Sequence, residues 1–230
     1  MFSIIQAAGW PIWPLLLCSV VALALIIERF SSLRAAKIAP PTLLDEVLSV
    51  TSQQLPAADV VNKLADNSLL GQVLASGLRA VIAEPRLPDA RLRQTFELAG
   101  RSAIHRLERY LNTLGTIATA APLLGLLGTV VGMIEIFGSQ SPTGGNPAQL
   151  AHGISIALYN TAFGLIIAIP SLMCYRYFRG LVEAYVLELE QASERFMTHL
   201  TRFTQLANMQ AHLQAQSMQA AQTSRTGGRG

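Results

Sequence analysis

The amino-acid sequence predicts an all-α membrane protein that crosses the bilayer three times, with the second and third spans extended into long cytoplasmic helices. Composition is the first reason: of 230 residues, 51% are hydrophobic and only 13% charged, against roughly 25% charged in soluble domains. Charge placement is the second, since residues 1–27 carry no charged side chain and residues 110–175 carry only Glu135. Length is the third. Each uncharged stretch can cross about 30 Å of hydrocarbon at about 1.5 Å per residue.

Residues 1–9 precede the first span, which occupies 10–28; its apolar run ends at Ile27 and is followed at once by Glu28, Arg29, Arg34 and Lys37. Pro11 and Pro14 fall in its first turns, where missing backbone donors cost little, and Trp10 and Trp13 suit a membrane interface. A cleaved signal peptide would carry basic residues before the apolar run and a small-residue cleavage site after it, and neither is present. Residues 29–110 are polar and mostly helical in pattern, punctuated by Pro40, Pro41, Pro56, Pro85 and Pro88. Thr42 with Asp45 resembles an imperfect capping box ahead of Leu43, Leu44, Val47 and Leu48. Asp89 opens a helix through Leu92, Phe96, Ile104, Leu107 and Leu111, and with no proline before Pro122 the pattern predicts one rod entering the membrane without a break.

The second span covers 111–138 and the third 153–175, joined by a turn-rich loop, 139–152, without Lys or Arg. A further helix is expected over 176–205, and the Gln-rich tail, 206–230, has too little apolar content to fold. Basic residues near the span ends set the orientation: Arg29, Arg34 and Lys37 follow span one, Arg91, Arg93, Arg101, Arg106 and Arg109 precede span two, and Arg176, Arg179 and Arg195 follow span three. The N-terminus and the 139–152 loop are therefore expected in the periplasm, and the middle region and C-terminus in the cytoplasm.

Spans two and three are rich in small and hydroxyl residues. In the second, Gly125, Thr129 and Gly132 fall on one helical face, and Gly128 with Gly132 makes a small-xxx-small pair. In the third, Ala157, Thr161, Gly164, Ala168 and Ser171 recur at spacings of four and three. Two readings stand open. Small residues let membrane helices pack closely, or hydroxyls on the same faces line a polar path. The glycines are no phosphate cradle, because no strand precedes them.

Four segments carry a resemblance: Leu123-Leu-Gly-Leu-Leu-Gly-Thr-Val-Val-Gly-Met-Ile134, Gly153-Ile-Ser-Ile-Ala-Leu-Tyr-Asn-Thr-Ala-Phe-Gly-Leu165, Ala168-Ile-Pro170 and, more weakly, Ile27-Glu-Arg-Phe30. In combination and order they resemble the MotA/TolQ/ExbB proton-channel proteins, ExbB and TolQ most. The resemblance implies a homo-oligomeric ring of five subunits in the inner membrane, around single-span ExbD-like or TolR-like partners whose aspartate carries the proton. It also implies a TonB-like or TolA-like protein that receives the force. Thr129 and Thr161 match the two pore threonines, with Asn160, Ser155 and Glu135 as further candidates for the proton path. Gly125, Gly128, Gly132, Ala157 and Gly164 then pack the helices, while Pro122 and Pro170 interrupt backbone bonding in the two pore helices.

One departure stands out. Ile156 occupies a position that is glutamate in many ExbB and TolQ proteins. Asn160 either substitutes as a polar, non-titrating group or serves as an interhelical hydrogen-bonding group. Glu135, an acid in an apolar span, is either a proton-entrance group or an interfacial side chain reaching the membrane surface. Cys18 and Cys174 lie in apolar stretches as small hydrophobes, and the scattered His105, His152, His199 and His212 form no metal or hydrolase pattern. No cofactor, metal, nucleic acid or enzymatic role is expected. The competing readings are a TolQ-like envelope-maintenance subunit and a membrane scaffold that conducts nothing.

Overall fold

The computed structural model describes residues 10–85, 87–138 and 147–226, and at 53, 149, 207, 208 and 210–226 the backbone alone. Every regular element among them is helical: α1 (Ile12–Ser32), α2 (Ala35–Ile38), α3 (Leu43–Gln53), α4 (Ala58–Asn67), α5 (Leu69–Ala83), α6 (Asp89–Glu108), α7 (Leu111–Gly138) and α8 (Pro147–Thr226). Three helical stretches are long and apolar enough to cross a membrane, lying within Ile12–Ser32, Asp89–Gly138 and Leu150–Leu206. The expectations for 1–9, 139–146 and 227–230 fall outside the described residues.

Several boundaries differ from the sequence-based expectation. The rod expected through 89–137 is interrupted at Arg109 and Tyr110, where Tyr110 takes φ 66° and its carbonyl accepts from Leu114 N–H at 3.1 Å to start α7. Apolar spacing reports which side chains are buried and not whether the hydrogen-bond ladder is continuous, so the break left no periodic signature. α1 continues past Ile27 to Ser32, since Glu28 and Arg29 are good helix formers. α8 begins at Pro147 and not at 153, proline being well suited to a first helical turn. It remains helical across 206–226, where a disordered tail was expected, because Ala, Gln, Leu and Met favour helix even without an apolar stripe. Thr42 does precede α3, but its side chain makes no capping bond.

The chain divides into two compact units, one of residues 1–33 and 108–183, the other of 34–107 and 184–230. In the first, α7 packs antiparallel to the first part of α8, and α1 joins them through Leu15, Ala121 and Ala168, with Leu124 and Ile167 against that cluster. Phe178 is fully buried with Phe30 edge-on at 4.9 Å between ring centres. In the second unit α5, only 15 residues long and so too short to span a bilayer, is the buried centre. Ser68 accepts from Gly71 N–H at 3.0 Å to start it, and Leu70, Val73, Leu74, Leu78 and Val81 are buried along it. Gly77 gives way to the ring of Phe96, which meets Phe196 edge-on at 6.2 Å.

Candidate functional site

The residues singled out in spans two and three meet along the α7–α8 seam. Glycine lets the two backbones touch: a Cβ on Gly125 would lie 2.7 Å from the Asn160 carbonyl oxygen, one on Gly128 2.8 Å from Asn160 Cβ, and one on Gly164 2.6 Å from the Ala121 carbonyl oxygen. Gly132 faces Ala157 with a little more room, 3.2 Å to its Cβ. Further along, Gly115 lies against Tyr175 and Gly153 against Ile136. Rising numbers on one helix thus meet falling numbers on the other. Ala157, Asn160, Ala168 and Ser171 are all buried, so much of the small-residue face of the third span is used for packing within the chain. Asn160 is 1% exposed and lies over Gly128, an interhelical position. The Ser171 hydroxyl donates to its own helix at Ile167 O, 2.7 Å.

The two threonines flank this seam together. Gly128 touches Asn160, and Thr129 and Thr161 each come one residue later. Each is therefore turned about 100° from the contact in the same rotational sense. Between antiparallel helices, equal rotation of equal sense leads to the same side and nearly the same height. Leu124 and Ile167, which pack with Leu15 of α1, are turned the other way. The threonines therefore lie on the side of the seam opposite Leu124 and Ile167. Both threonines are partly accessible, and the Thr129 hydroxyl donates to Leu126 O at 2.7 Å. Beside Thr129 is a shallow concavity lined by Val130, Met133, Ile134 and Phe137.

The other candidates lie elsewhere. Glu135 comes one residue before Ile136, which touches Gly153, so it points to the side away from Thr129 and is exposed there. Ser155 is two residues from Ala157, about 160° around the helix from the seam, and its exposed hydroxyl donates to Ala151 O at 2.9 Å. Pro122 and Pro170 sit inside α7 and α8 without ending either helix. Among the described residues no group of three or more His, Cys, Asp or Glu side chains could hold a metal.

Sequence reasoning missed a charged and aromatic cluster at the opposite end of α7. Arg29 is 2% exposed, with its Nε 2.6 Å from Glu28 Oε2, and its guanidinium carbon lies 5.5 Å from the centre of the Tyr110 ring. Arg109 approaches the same ring at 4.5 Å. Ile27-Glu-Arg-Phe30 marked this place only as a weak motif. Past the third span, hydrogen bonding to Tyr175 and then to Glu183, whose Oε1 is 3.1 Å away, raises the Arg179 pKa above its ordinary value and keeps the guanidinium charged.

With this geometry in view, residues 65–191 match the MotA/TolQ/ExbB proton channel family. That stretch holds both pore-helix motifs and more than half of the chain. The chain belongs to this family. Its relatives include ExbB-like protein 3 of a Synechocystis species, 34% identical over 193 residues that make up 82% of this chain and 90% of that protein. The biopolymer transport protein exbB1 of Vibrio cholerae is 33% identical over 72% of this chain and 73% of its own length. The Tol-Pal system protein TolQ of Haemophilus influenzae is 34% identical over 51% of this chain and 54% of its own. Both small-residue faces, and Thr129 and Thr161, lie inside the matched segment.

Proposed function

We propose that this chain is the ExbB-like channel subunit of an inner-membrane motor that couples the proton motive force to outer-membrane transport. Thr129 and Thr161 form its hydroxyl pair on the proton path. The observation that carries this reading is that both threonines are partly accessible and lie on one side of the α7–α8 seam, opposite Leu124 and Ile167. An apolar surface bearing a pair of hydroxyls suits the lumen of a ring. Copies of the chain, five in our reading, surround an ExbD-like or TolR-like single-span partner that supplies the titrating acid. A TonB-like or TolA-like protein takes up the force. The N-terminus and the connection between the second and third spans face the periplasm, and the C-terminus the cytoplasm. Each proton crossing 100 mV releases about 2.3 kcal/mol, enough for a stepwise motor. Asn160 acts by holding the seam, and Glu135 and Ser155 serve outside the threonine path.

The test is isosteric. A threonine hydroxyl both donates and accepts, whereas valine has nearly its shape and neither capability. Thr161→Val should leave expression and assembly intact while abolishing proton-motive-force-dependent function, with Thr129→Val acting likewise, and serine at either site should retain activity. Normal function of both valine variants in cells lacking a related motor rejects the reading in favour of a scaffold. Which function fails separates the finer assignments: loss of outer-membrane import supports the ExbB-like role, and loss of envelope integrity the TolQ-like role.

A further inference from the structure

Among the described residues, Tyr110 alone combines a side chain with a positive φ, 66°. A left-handed backbone disfavours any residue with a Cβ, and it persists where the surroundings over-determine it. The sequence does not demand the break: Leu107, Leu111, Leu114, Ala118 and Ala121 are buried at spacings of four and three across it. A helix continuous through 108–114 would bury the same side chains. Burial alone therefore does not account for the break, and a tertiary contact of Tyr110 at that point is made by Arg29 of α1. Its guanidinium is buried, is held by Glu28 Oε2 at 2.6 Å and Oε1 at 3.1 Å, and lies 5.5 Å from the Tyr110 ring centre. Arg109, though 4.5 Å from that ring, adjoins Tyr110 in the chain and accompanies it in either conformation. Arg29 comes from another helix and can be present or withdrawn.

We propose that Arg29 is a positioning residue: it clamps the Tyr110 ring and holds the helix break, making 108–114 a two-state element that is broken under the clamp and continuous when it is released. The end of the first span thereby governs where α7, the helix that carries Thr129, begins. Nothing in this depends on whether the threonines conduct.

Hydrogen exchange of peptides covering 109–114 in the purified full-length chain reads the state of the break directly. Arg29→Gln and Tyr110→Ala should each slow exchange about tenfold as the helix closes, the scale of losing one cation–π contact. Combining the two should add nothing. Tyr110→Phe keeps the ring and should match the parent. Tyr110→Gly adopts positive φ without penalty, so its exchange should be no slower than the parent's, even alongside Arg29→Gln. Unchanged exchange in Arg29→Gln, or additive slowing in the double variant, overturns the clamp. Should Arg29→Gln not accumulate, Tyr110→Ala against Tyr110→Phe decides, and equal exchange in those two overturns it. Because exchange is measured without reference to proton flow, the clamp and the channel assignment fail separately.

Discussion

Single glycines carry the site's geometry, and their surroundings rank them. A methyl at Gly164 would meet the backbone of α7 at 2.6 Å, and one at Gly128 the root of Asn160 at 2.8 Å, whereas at Gly132 the nearest atom is the Ala157 methyl at 3.2 Å. Backbone cannot move aside as a side chain end can. Gly164→Ala should therefore cost about 1–3 kcal/mol through overpacking and lower the thermal midpoint in detergent, with Gly128→Ala next and Gly132→Ala mildest. Equal losses at Gly132 and Gly164 would contradict the close seam. Gly180 has nothing within 4 Å of an added Cβ. Gly180→Ala should then raise the midpoint, reflecting roughly 0.5–1 kcal/mol of helix propensity. Opposite signs at Gly164 and Gly180 would show that contact, and not glycine content, sets the cost.

At the scale of elements, two helices are held by aromatic contacts that no periodicity specifies. A left-handed tyrosine costs about 1–2 kcal/mol, and a partly desolvated guanidinium over its ring returns a similar amount, about 0.5–2 kcal/mol. A near balance of this kind is what lets one contact decide between a broken and a continuous helix. In the other unit α5 is held by Phe96, whose ring fills the place of a Gly77 side chain and meets Phe196. Phe96→Ala should cost about 3–5 kcal/mol and speed amide exchange in Leu69–Ala83, leaving the α7–α8 seam protected. Equal deprotection of that seam would mean that the two units do not open separately.

For the molecule as a whole, the exposed apolar side chains have a consistent distribution. Leu17, Val20, Leu23 and Ile27 of α1, Leu123, Val130 and Ile134 of α7, and Ile166, Ile169 and Met173 of α8 are all exposed in the isolated chain. Surface of that extent is covered by lipid or by other copies. The reading in which copies form a ring predicts a closed oligomer in mild detergent, and a monomer at every concentration would remove it. Orientation is tested independently. Reporter fusions at Gly144 and Gly228 should report periplasm and cytoplasm respectively, in keeping with arginines at the expected cytoplasmic span ends, and the reverse pattern would invert the pore assignment.

Much of this architecture was legible in the sequence. Uncharged runs must be spans because charge in hydrocarbon is costly, and prolines 40, 41, 56, 85 and 88 mark helix ends because each lacks a backbone donor. The small-residue faces were legible too, since helical spacing alone places residues on a face, and the motifs identify the family, whose resemblance singled out Thr129 and Thr161. What spacing cannot contain is the angle at which one helix meets another. Only the tertiary structure decided that Asn160 and most of the small face of α8 lie inside the seam, that Thr129 and Thr161 share one side of it, and that Glu135 and Ser155 do not join them. The break at Tyr110 belongs to the same class. The Arg29 guanidinium beside the Tyr110 ring comes from 81 residues away in the chain, and a contact between distant residues exists only once the helices have packed.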